Sequence, residues 1–269
     1  MRHKIDCHTH IINEKIKNEY FAHTDGYAVV MQFPPSIMDN PDTIATVRSD
    51  RRLFLCPAID LKSPIPPQLD AIYPTLDENR IVGLKIYLSY QSGRADDEKL
   101  IPVYEFADKY GLTVTFHTGL CSLVLPSDND IEGSNAKYVG AAAAMFPNVN
   151  FVAAHMDDPR LDECIAVAAE HNNFYTDYSG AYEPGYAFDA DREAAAELFG
   201  GAIHTRPDMY KKILYGSDFC PPINLSELDE YERTAAHIFA PEELPDVYWD
   251  NALRAFPRIK YFIEKEGQQ

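Results

Sequence analysis

Short apolar runs alternate with longer amphipathic stretches along most of the chain. The short runs are apolar at nearly every position, which is typical of strands covered by helices. Eight of them are predicted as strands: residues 4–11, 27–33, 53–60, 81–88, 112–118, 148–155, 173–179 and 211–218. Their spacing matches the length of a strand–helix unit.

Between the strands, the pattern indicates amphipathic helices. The clearest lie at 97–110, 134–145, 160–171 and 190–200. Gly111 is expected to end the first of these helices, and Ser134 is expected to cap the second. The tail from about residue 226 to 269 is predicted to hold the last barrel helix and additional helices.

Eight strand–helix units predict an α/β fold of the (β/α)8 TIM-barrel type, with residues 1–269 forming a single domain. A doubly wound open sheet is the alternative fold. It would carry a glycine-rich phosphate turn after the first strand, but His-Thr-His-Ile-Ile-Asn stands there instead.

The charge and the cysteine content of the chain indicate which partners and which cellular location to expect. The chain has 269 residues, with 42 acidic and 24 basic side chains, for a net charge of −18. Such a surface disfavours nucleic acid and anionic membranes as partners. No apolar run approaches the length of a membrane span, and no signal peptide is recognised. The five scattered cysteines form no CxxC pair, so we expect free thiols and a cytoplasmic location.

The N-terminal strand carries candidate metal ligands. Strict alternation along a strand would place Asp6, His8 and His10 on one face and Cys7 on the outer face. Two imidazoles two residues apart on one strand can chelate one cation, and neutral histidine is a common zinc ligand.

Further candidate ligands stand at the ends of later predicted strands: His117, His155 and Asp218. A single buried histidine is usually a hydrogen-bonded core residue, and a single aspartate after a strand is usually a cap or turn former. A barrel, however, directs the carboxyl ends of all its strands to one mouth, where active sites gather. The set of five therefore predicts a metal-dependent enzyme.

These residues carry a family resemblance. The segments DCHTHI at 6–11, FHTG at 116–119 and YGSDF at 215–219 resemble the amidohydrolase superfamily. The amidohydrolase-related branch, which includes aminocarboxymuconate-semialdehyde decarboxylase and pyrone-dicarboxylate lactonase, is the more similar one; GLKIY at 83–87 and NALRAF at 251–256 agree with it. The resemblance extends from residue 4 to about 258. It implies a distorted barrel holding one or two divalent ions, commonly zinc and sometimes manganese.

The resemblance also implies roles for individual residues. His8, His10, His117 and Asp218 would be the ligands of a mononuclear site, and His155 would lie beside the activated water as an acid, a base or an electrostatic stabiliser. A divalent ion lowers the pKa of bound water to near 7. Asp218 could accept the proton of that water, and His155 could protonate a leaving group.

Lys85 allows three interpretations. Alternation on the fourth strand directs Lys85 and Tyr87 into the barrel, where an unpaired ammonium is costly. Lys85 could pair with an acidic neighbour such as Asp218 or Asp6, could anchor a substrate carboxylate, or could be carboxylated and bridge a second metal that His155 would help to bind. Pairing or substrate contact is favoured over carboxylation.

Substrate contacts are the least specific prediction. The candidates are Tyr87, Tyr90, Arg94, Arg160 and Tyr178, each with an alternative as an ordinary surface or core residue. The long loop after the fifth strand could form a lid.

Three functions are weighed. The first is a hydrolase that uses a metal-activated water on an ester, lactone or amide bond of a small molecule. The second is a metal-dependent nonoxidative decarboxylase of a small carboxylic acid on the same site. The third is a noncatalytic metal-binding barrel. A homo-oligomer is possible for any of them.

Overall fold

In the computed structural model, which describes residues 4–122, 125–180, 192–220 and 228–267, eight parallel strands occupy the centre of the molecule. They are β1 (Ile5–Thr9), β2 (Tyr27–Met31), β3 (Leu53–Cys56), β4 (Gly83–Tyr87), β5 (Thr113–His117), β6 (Phe151–Ala153), β7 (Phe174–Asp177) and β8 (Ile213–Leu214). Each lies within one of the eight ranges predicted from the apolar runs.

The strands close into a distorted barrel. Regular pairing runs in the order β1-β2-β3 and, separately, β4-β5-β6-β7-β8. Isolated bridges join the two groups, with Leu55 against Ile81 on one side and Thr9 against Phe219 on the other. At the second junction the amide of Asp218 donates to the carbonyl oxygen of His8 at 2.9 Å. The predicted (β/α)8 barrel is therefore confirmed, in its distorted form.

Helices surround the strands. The α-helices are α1 (Glu14–His23), α2 (Thr43–Ser49), α3 (Ile65–Ile72), α4 (Leu88–Gln91), α5 (Ile101–Tyr110), α6 (Ala136–Met145), α7 (Leu161–Glu170), α8 (Arg192–Ile203), α9 (Leu228–Ile238), α10 (Asn251–Ala255) and α11 (Pro257–Glu266). Short 3-10 turns lie at Tyr73–Thr75, Glu98–Leu100, Ala154–Asp157 and Met209–Lys212, and a π-helical turn at Asp246–Asp250. No helix of the described residues has the length and apolarity that crossing a membrane requires.

Local capping hydrogen bonds determine where the helices α5 and α6 end and begin. Gly111 ends α5 as predicted: it adopts a left-handed conformation (φ 63°), and its N–H bonds back to the last turn. The prediction of Ser134 as the cap of α6 is wrong. Asn135 caps that helix, since its side chain accepts from the amide of Lys137, while the Ser134 hydroxyl donates to the carbonyl oxygen of Ile131.

The barrel has two apolar layers. One lies between the strands and the helices and contains outward-facing residues such as Leu84 and Ile86. The other fills the amino-terminal part of the barrel interior with side chains of seven strand segments. Phe256, between α10 and α11, and Phe262 of α11 pack against that interior layer and close its base. The additional C-terminal helices are thus part of the core.

The first strand departs from strict alternation. Its register with β2 shifts between Asp6 and Thr9. Cys7 lies in the interior apolar layer, so its predicted position on the outer face is wrong. The bulge allows the side chains of both Cys7 and His8 to point into the barrel, although the two residues are adjacent. Asp6 does not share the face of His8: its carboxylate accepts from the Tyr20 hydroxyl at 3.1 Å, and burial raises its pKa to about 6.

Candidate metal centre and substrate pocket

The five predicted residues meet at the carboxyl ends of the strands. His8 lies in β1 and His10 just after it, His117 is the last residue of β5, His155 lies in the turn after β6, and Asp218 follows β8. Since parallel strands of a closed barrel point the same way, residues far apart in sequence converge here. All but His8 line a pocket of about 590 Å³.

Short distances connect the five side chains. Oδ1 of Asp218 lies 3.1 Å from Nε2 of His10 and 3.5 Å from Nε2 of His8. Nε2 of His155 lies 3.1 Å from Nδ1 of His117. The rings of His8 and His155 approach to 4.9 Å between centroids, which joins the two groups. The nitrogen and carboxylate donors of His8, His10 and Asp218 are close enough to share one ion.

The outer nitrogens of three imidazoles face backbone carbonyls. His10 Nδ1 lies 2.8 Å from the oxygen of Met31, and His117 Nε2 lies 2.8 Å from that of Leu120. His155 Nδ1 lies 3.0 Å from the oxygen of Ser179. Because a carbonyl oxygen can only accept, each of these nitrogens carries the proton. The other nitrogen of each ring then presents a lone pair to the pocket.

Those lone pairs fit a divalent cation. In these tautomers His117 Nδ1 and His155 Nε2 are both acceptors although they lie 3.1 Å apart, and the Asp218 carboxylate faces the same space. When the imidazoles are neutral, these converging acceptors repel one another unless a positive charge lies between them. Imidazole nitrogen and carboxylate oxygen are common zinc ligands, so the residues present suit the group that the sequence predicted.

The electrostatics favour the ligand form of these residues. Burial and the charge of Lys85 lower the pKa of His8 to about 4. Burial, His155 and Lys85 hold the pKa of His117 well below its usual range. Burial alone would raise the pKa of Asp218, but the neighbouring histidines hold it well below its usual value. Neutral imidazoles and an ionised carboxylate are the forms that bind metal.

Asp177 is a site residue that the sequence analysis missed. Its Oδ2 lies 3.2 Å from Nδ1 of His8, and its Oδ1 accepts from the amides of His155 at 3.0 Å and Ser179 at 3.1 Å. Burial would raise the pKa of Asp177, but His8 and these hydrogen bonds hold it far below its usual range. A carboxylate on the outer nitrogen of a ligand histidine orients the ring. The available signal was an aspartate at the end of a predicted strand.

Unfavourable backbone conformations cluster at the centre. His155 has φ 63° and Asp218 has φ 52°, both in the left-handed region that non-glycine residues rarely adopt. Such residues cost of order 1–3 kcal/mol each and persist where surrounding contacts determine them. Gly180, also left-handed at φ 75°, allows close approach, since a Cβ there would lie 3.1 Å from Nδ1 of His155.

Lys85 points into the barrel, as alternation predicted, and is fully buried. Its Nζ lies 3.3 Å from Nε2 of His8. Burial lowers the pKa of Lys85 to about 8, while the charges of Asp177 and Asp218 oppose that shift. The described residues show no ion pair of Lys85 with either predicted acidic neighbour, Asp6 or Asp218, although the charge of Asp218 acts on Lys85.

The predicted substrate contacts divide into two groups. Tyr87 and Tyr90 line the pocket, and the Tyr87 hydroxyl donates to the carbonyl oxygen of Gln32. The structure does not bring the other three to it. Arg94 is exposed and paired with Asp96.

Arg160 and Tyr178 serve the scaffold instead. Arg160 donates to both carboxylate oxygens of Asp157 and to the carbonyl oxygen of Ile131, which fixes the turn after β6 to the preceding loop. Tyr178 is buried among the aromatic rings of Tyr215, Tyr231 and Phe239 between strands and helices.

Part of the loop after β5, which was predicted as a lid, lines the pocket. Leu120, Ser122 and Leu125 belong to the lining, and the amide of Ser122 donates to the Tyr90 hydroxyl at 2.7 Å. Residues 123–124 of that loop lie outside the described residues. The lid itself stays a prediction.

Fold and site together define a (β/α)8-barrel enzyme with a candidate metal centre at the carboxyl ends of its strands. The model of the amidohydrolase family matches residues 14–258, and the chain belongs to that family. The family is one of metal-dependent enzymes, which sets aside the hypothesis of a noncatalytic barrel. A search of curated proteins finds no match.

Solved structures of similar fold differ in the reactions that their names describe. A probable 2-pyrone-4,6-dicarboxylic acid hydrolase from Acinetobacter baumannii is 12% identical, with a TM-score of 0.66 over 96% of this chain and 100% of that one. The 2,6-dihydroxybenzoate decarboxylase from Rhizobium is 14% identical, with a TM-score of 0.63 over 96% and 99%. An amidohydrolase from Burkholderia multivorans with bound zinc is 16% identical, with a TM-score of 0.64 over 95% and 99%. At these identities the likeness shows the fold.

Proposed function

We propose that the protein is a metal-dependent hydrolase that cleaves an ester, lactone or amide bond of a small molecule with a metal-activated water. The observation that carries the proposal is the convergence of the inward-facing nitrogens of His10, His117 and His155 with the Asp218 carboxylate in one pocket, since all four groups can offer a lone pair to a cation. The hydrolase from Acinetobacter baumannii supports it as a structural neighbour.

His8, His10, His117 and Asp218 would hold the ion. Zinc is the metal we propose, since three imidazoles and one carboxylate suit it, and manganese is the alternative. The zinc-containing neighbour from Burkholderia multivorans supports that choice. When bound, a divalent ion supplies a Lewis acid that polarises a carbonyl and lowers the pKa of water.

The protein's own residues would then position and move protons. Asp218 can accept a proton on a carboxylate oxygen, since its side chain faces the pocket. His155 can take up that proton at Nε2 and deliver it to the leaving group. The carbonyl oxygen of Ser179 stabilises the proton on Nδ1 throughout, so the ring keeps its orientation. Asp177 fixes His8 and the backbone of His155 together.

A nonoxidative decarboxylase is the second candidate. The buried Lys85 next to His8 favours a carboxylate in the substrate, because it adds a positive charge beside the centre. The neighbour that is named a 2,6-dihydroxybenzoate decarboxylase supports this reading. In this case His155 would protonate the carbon from which carbon dioxide leaves. Product analysis separates the two reactions: ring opening or bond cleavage indicates hydrolysis, and released carbon dioxide indicates decarboxylation.

Removing bound metal with a chelator and then adding metal back tests the proposed metal site. Chelation followed by titration with Zn²⁺ or Mn²⁺ should give binding with one ion per chain and raise the unfolding temperature. A ligand at 100 times its Kd stabilises the folded state by about 2.7 kcal/mol. His10→Ala should remove most of this effect, whereas His237→Ala, at an exposed position outside the pocket, should not. A chain that neither retains nor binds metal would contradict the proposal, and two ions per chain would favour a carboxylated Lys85.

The substrate class, the cellular location and the partners of the enzyme are also proposals. A concave pocket lined by aromatic and apolar side chains with a few histidines and carboxylates supports a small-molecule substrate. All five cysteines are free, which agrees with a reducing, cytoplasmic location. The strongly acidic charge supports the absence of nucleic acid and membrane partners. Size-exclusion chromatography would test the possible homo-oligomer.

A further inference from the structure

Ser179, the second residue after β7, lies between two of the histidines. Its Oγ lies 3.1 Å from Nδ1 of His8 and 3.0 Å from Nδ1 of His155. The same hydroxyl donates to Oδ1 of Asp177, the last residue of β7. Both Ser179 and Asp177 are buried, so water does not compete for these contacts. One hydroxyl therefore contacts a proposed metal ligand, a proposed proton carrier and the carboxylate beside them.

The direction of this hydroxyl follows from its partners. A serine hydroxyl has one proton to donate and two lone pairs that can accept. An ionised carboxylate can only accept, and it forms the stronger hydrogen bond, so the proton of Ser179 goes to Asp177. Both lone pairs of Oγ then remain for the two imidazoles, each of which donates to the hydroxyl from Nδ1.

This arrangement determines the tautomer of His8. Its Nδ1 has two described oxygens beside it, Oγ of Ser179 at 3.1 Å and Oδ2 of Asp177 at 3.2 Å. Because neither oxygen has a proton left to give, the proton of the neutral His8 ring lies on Nδ1. Nε2 of His8 then keeps its lone pair, 3.5 Å from Oδ1 of Asp218.

A glycine provides the space that this close grouping needs. A Cβ on Gly216, just after β8, would lie 3.1 Å from Cβ of His8 and 3.2 Å from Cβ of Ser179. Such contacts are tighter than side chains normally make. Glycine at this position therefore lets the chain segments at the ends of β1, β7 and β8 approach closely enough for the hydroxyl to reach the His8 ring.

We propose that Ser179 is a positioning residue that links His8 to His155 through its hydroxyl. The inference rests on the proposed function, which makes His8 a metal ligand and His155 the carrier of a proton. The hydroxyl keeps the proton of both rings on Nδ1 and leaves both Nε2 atoms for the metal centre. Because one oxygen serves both rings, a movement of either ring changes the hydrogen bond of the other.

The tautomers of the two rings test the proposal in the unaltered chain after metal removal. A long-range proton–nitrogen correlation spectrum of protein with isotope-labelled histidine distinguishes protonated from unprotonated ring nitrogens. The variants His8→Gln and His155→Gln assign the two rings by the loss of their signals. We expect both rings to carry a proton on Nδ1 at neutral pH. A proton on Nε2 of His8 and none on its Nδ1 would overturn the proposal.

Ser179→Ala removes only the hydroxyl. The Nδ1 signals of both His8 and His155 should shift, and zinc affinity, measured by competition with a chromophoric chelator, should fall about tenfold, as is typical when a group that orients a ligand is lost. Ser179→Thr keeps a hydroxyl and should retain the original signals and affinity. Thr176→Val is the control, since it removes a buried hydroxyl of β7 that donates to the carbonyl oxygen of Ala153, and it should leave both rings unchanged.

A purely structural role of Ser179 gives a different result. If Ser179→Ala lowers the stability of the chain but leaves the signals of both rings and the zinc affinity unchanged, the serine does not position the histidines. A shift of one ring alone would contradict the link between them. Should Ser179→Ala fail to fold, the tautomers of the unaltered chain still decide.

Failure of this inference and failure of the proposed function can be told apart. A chain that binds no zinc would contradict the proposed hydrolase, yet the spectra of the metal-free chain would still report both tautomers. If zinc binding and turnover are normal but His8 carries its proton on Nε2 after metal removal, only the role given to Ser179 is wrong.

Discussion

The two ends of the barrel interior differ in almost every respect. The amino-terminal end is filled by apolar side chains such as Val29, Phe54 and Leu214 and is closed by Phe256 of α10–α11. The carboxyl end is lined by histidines, carboxylates and aromatic rings around an open pocket. The left-handed backbone of His155 and Asp218 lies at this second end. The same eight strands thus supply stability at one end and a reactive site at the other.

Adjacent residues can belong to opposite ends. Cys7 packs in the apolar layer, and His8, the next residue, contacts Lys85, Asp177 and Asp218. The register shift in β1 makes this division possible. Substitutions at the two ends should therefore separate stability from metal binding, and the following predictions test that separation.

The largest effect is expected from removing the aromatic plug at the base. Phe256→Ala deletes a fully buried ring and leaves a cavity, which should cost about 3–5 kcal/mol of unfolding free energy. Chemical denaturation measures the loss. The metal affinity of the protein that remains folded should be unchanged. As a control, Leu198→Ala at a largely exposed position should have little effect on stability. A fall in metal affinity without a fall in stability would contradict the separation of the two ends.

Asp218→Asn should lower turnover and metal affinity but leave the stability of the metal-free chain almost unchanged. Asparagine tolerates the left-handed backbone but lacks the carboxylate, so turnover and metal affinity should each fall by about 100- to 1000-fold, with little change in the stability of the metal-free chain. Metal competition with a chromophoric chelator and product formation are the measurements. Asp208→Asn is the matched control, since Asp208 is also left-handed but exposed and paired with Lys211. Full activity of Asp218→Asn would refute the role given to this residue.

Asp177→Asn should have a smaller effect at the same end. The amide keeps the volume but weakens the hydrogen bond to His8, so we expect metal affinity to fall about 10- to 100-fold. The visible absorption of the Co²⁺-substituted protein should also change, because the His8 ring is no longer held by a carboxylate. Asp162→Asn, on the exposed face of α7, serves as control. An unaltered Co²⁺ spectrum with weakened stability would mean that Asp177 is structural only.

Arg94→Ala should have the smallest effect. Its guanidinium pairs with Asp96 on the surface and lies over the ring of Tyr138, outside the pocket. Turnover should change by less than about twofold, as expected for an exposed residue outside the pocket lining. A large rise in KM would instead assign Arg94 to the substrate, as the sequence first suggested.

The outcome for individual residues shows how far sequence patterns reach. The eight strands could be predicted because apolar runs of strand length result from burial on both sides. The convergence of His8, His10, His117, His155 and Asp218 could be predicted because a barrel directs strand ends to one mouth. The face of Cys7 and Asp6 could not, since a bulge reverses alternation without changing the hydrophobic pattern.

Contacts made by single polar residues were the least predictable. Asp177 reads in sequence as an ordinary aspartate after a strand, and only its hydrogen bonds to His8 and His155 show its position. Arg160 and Tyr178 follow strand ends as His155 and Asp218 do, yet the structure directs them into a loop and an aromatic cluster. Position along a strand does not specify the direction of a side chain beyond its end.

The sequence by itself determined the barrel and the identity of the residues at its mouth, because burial and strand direction are encoded in local patterns of apolar and polar residues. Only the tertiary structure decided which imidazole nitrogens face carbonyl oxygens, which carboxylate orients His8, and which aromatic side chains line the described part of the pocket. Those features arise from contacts between residues distant in sequence, whose distances no local pattern contains.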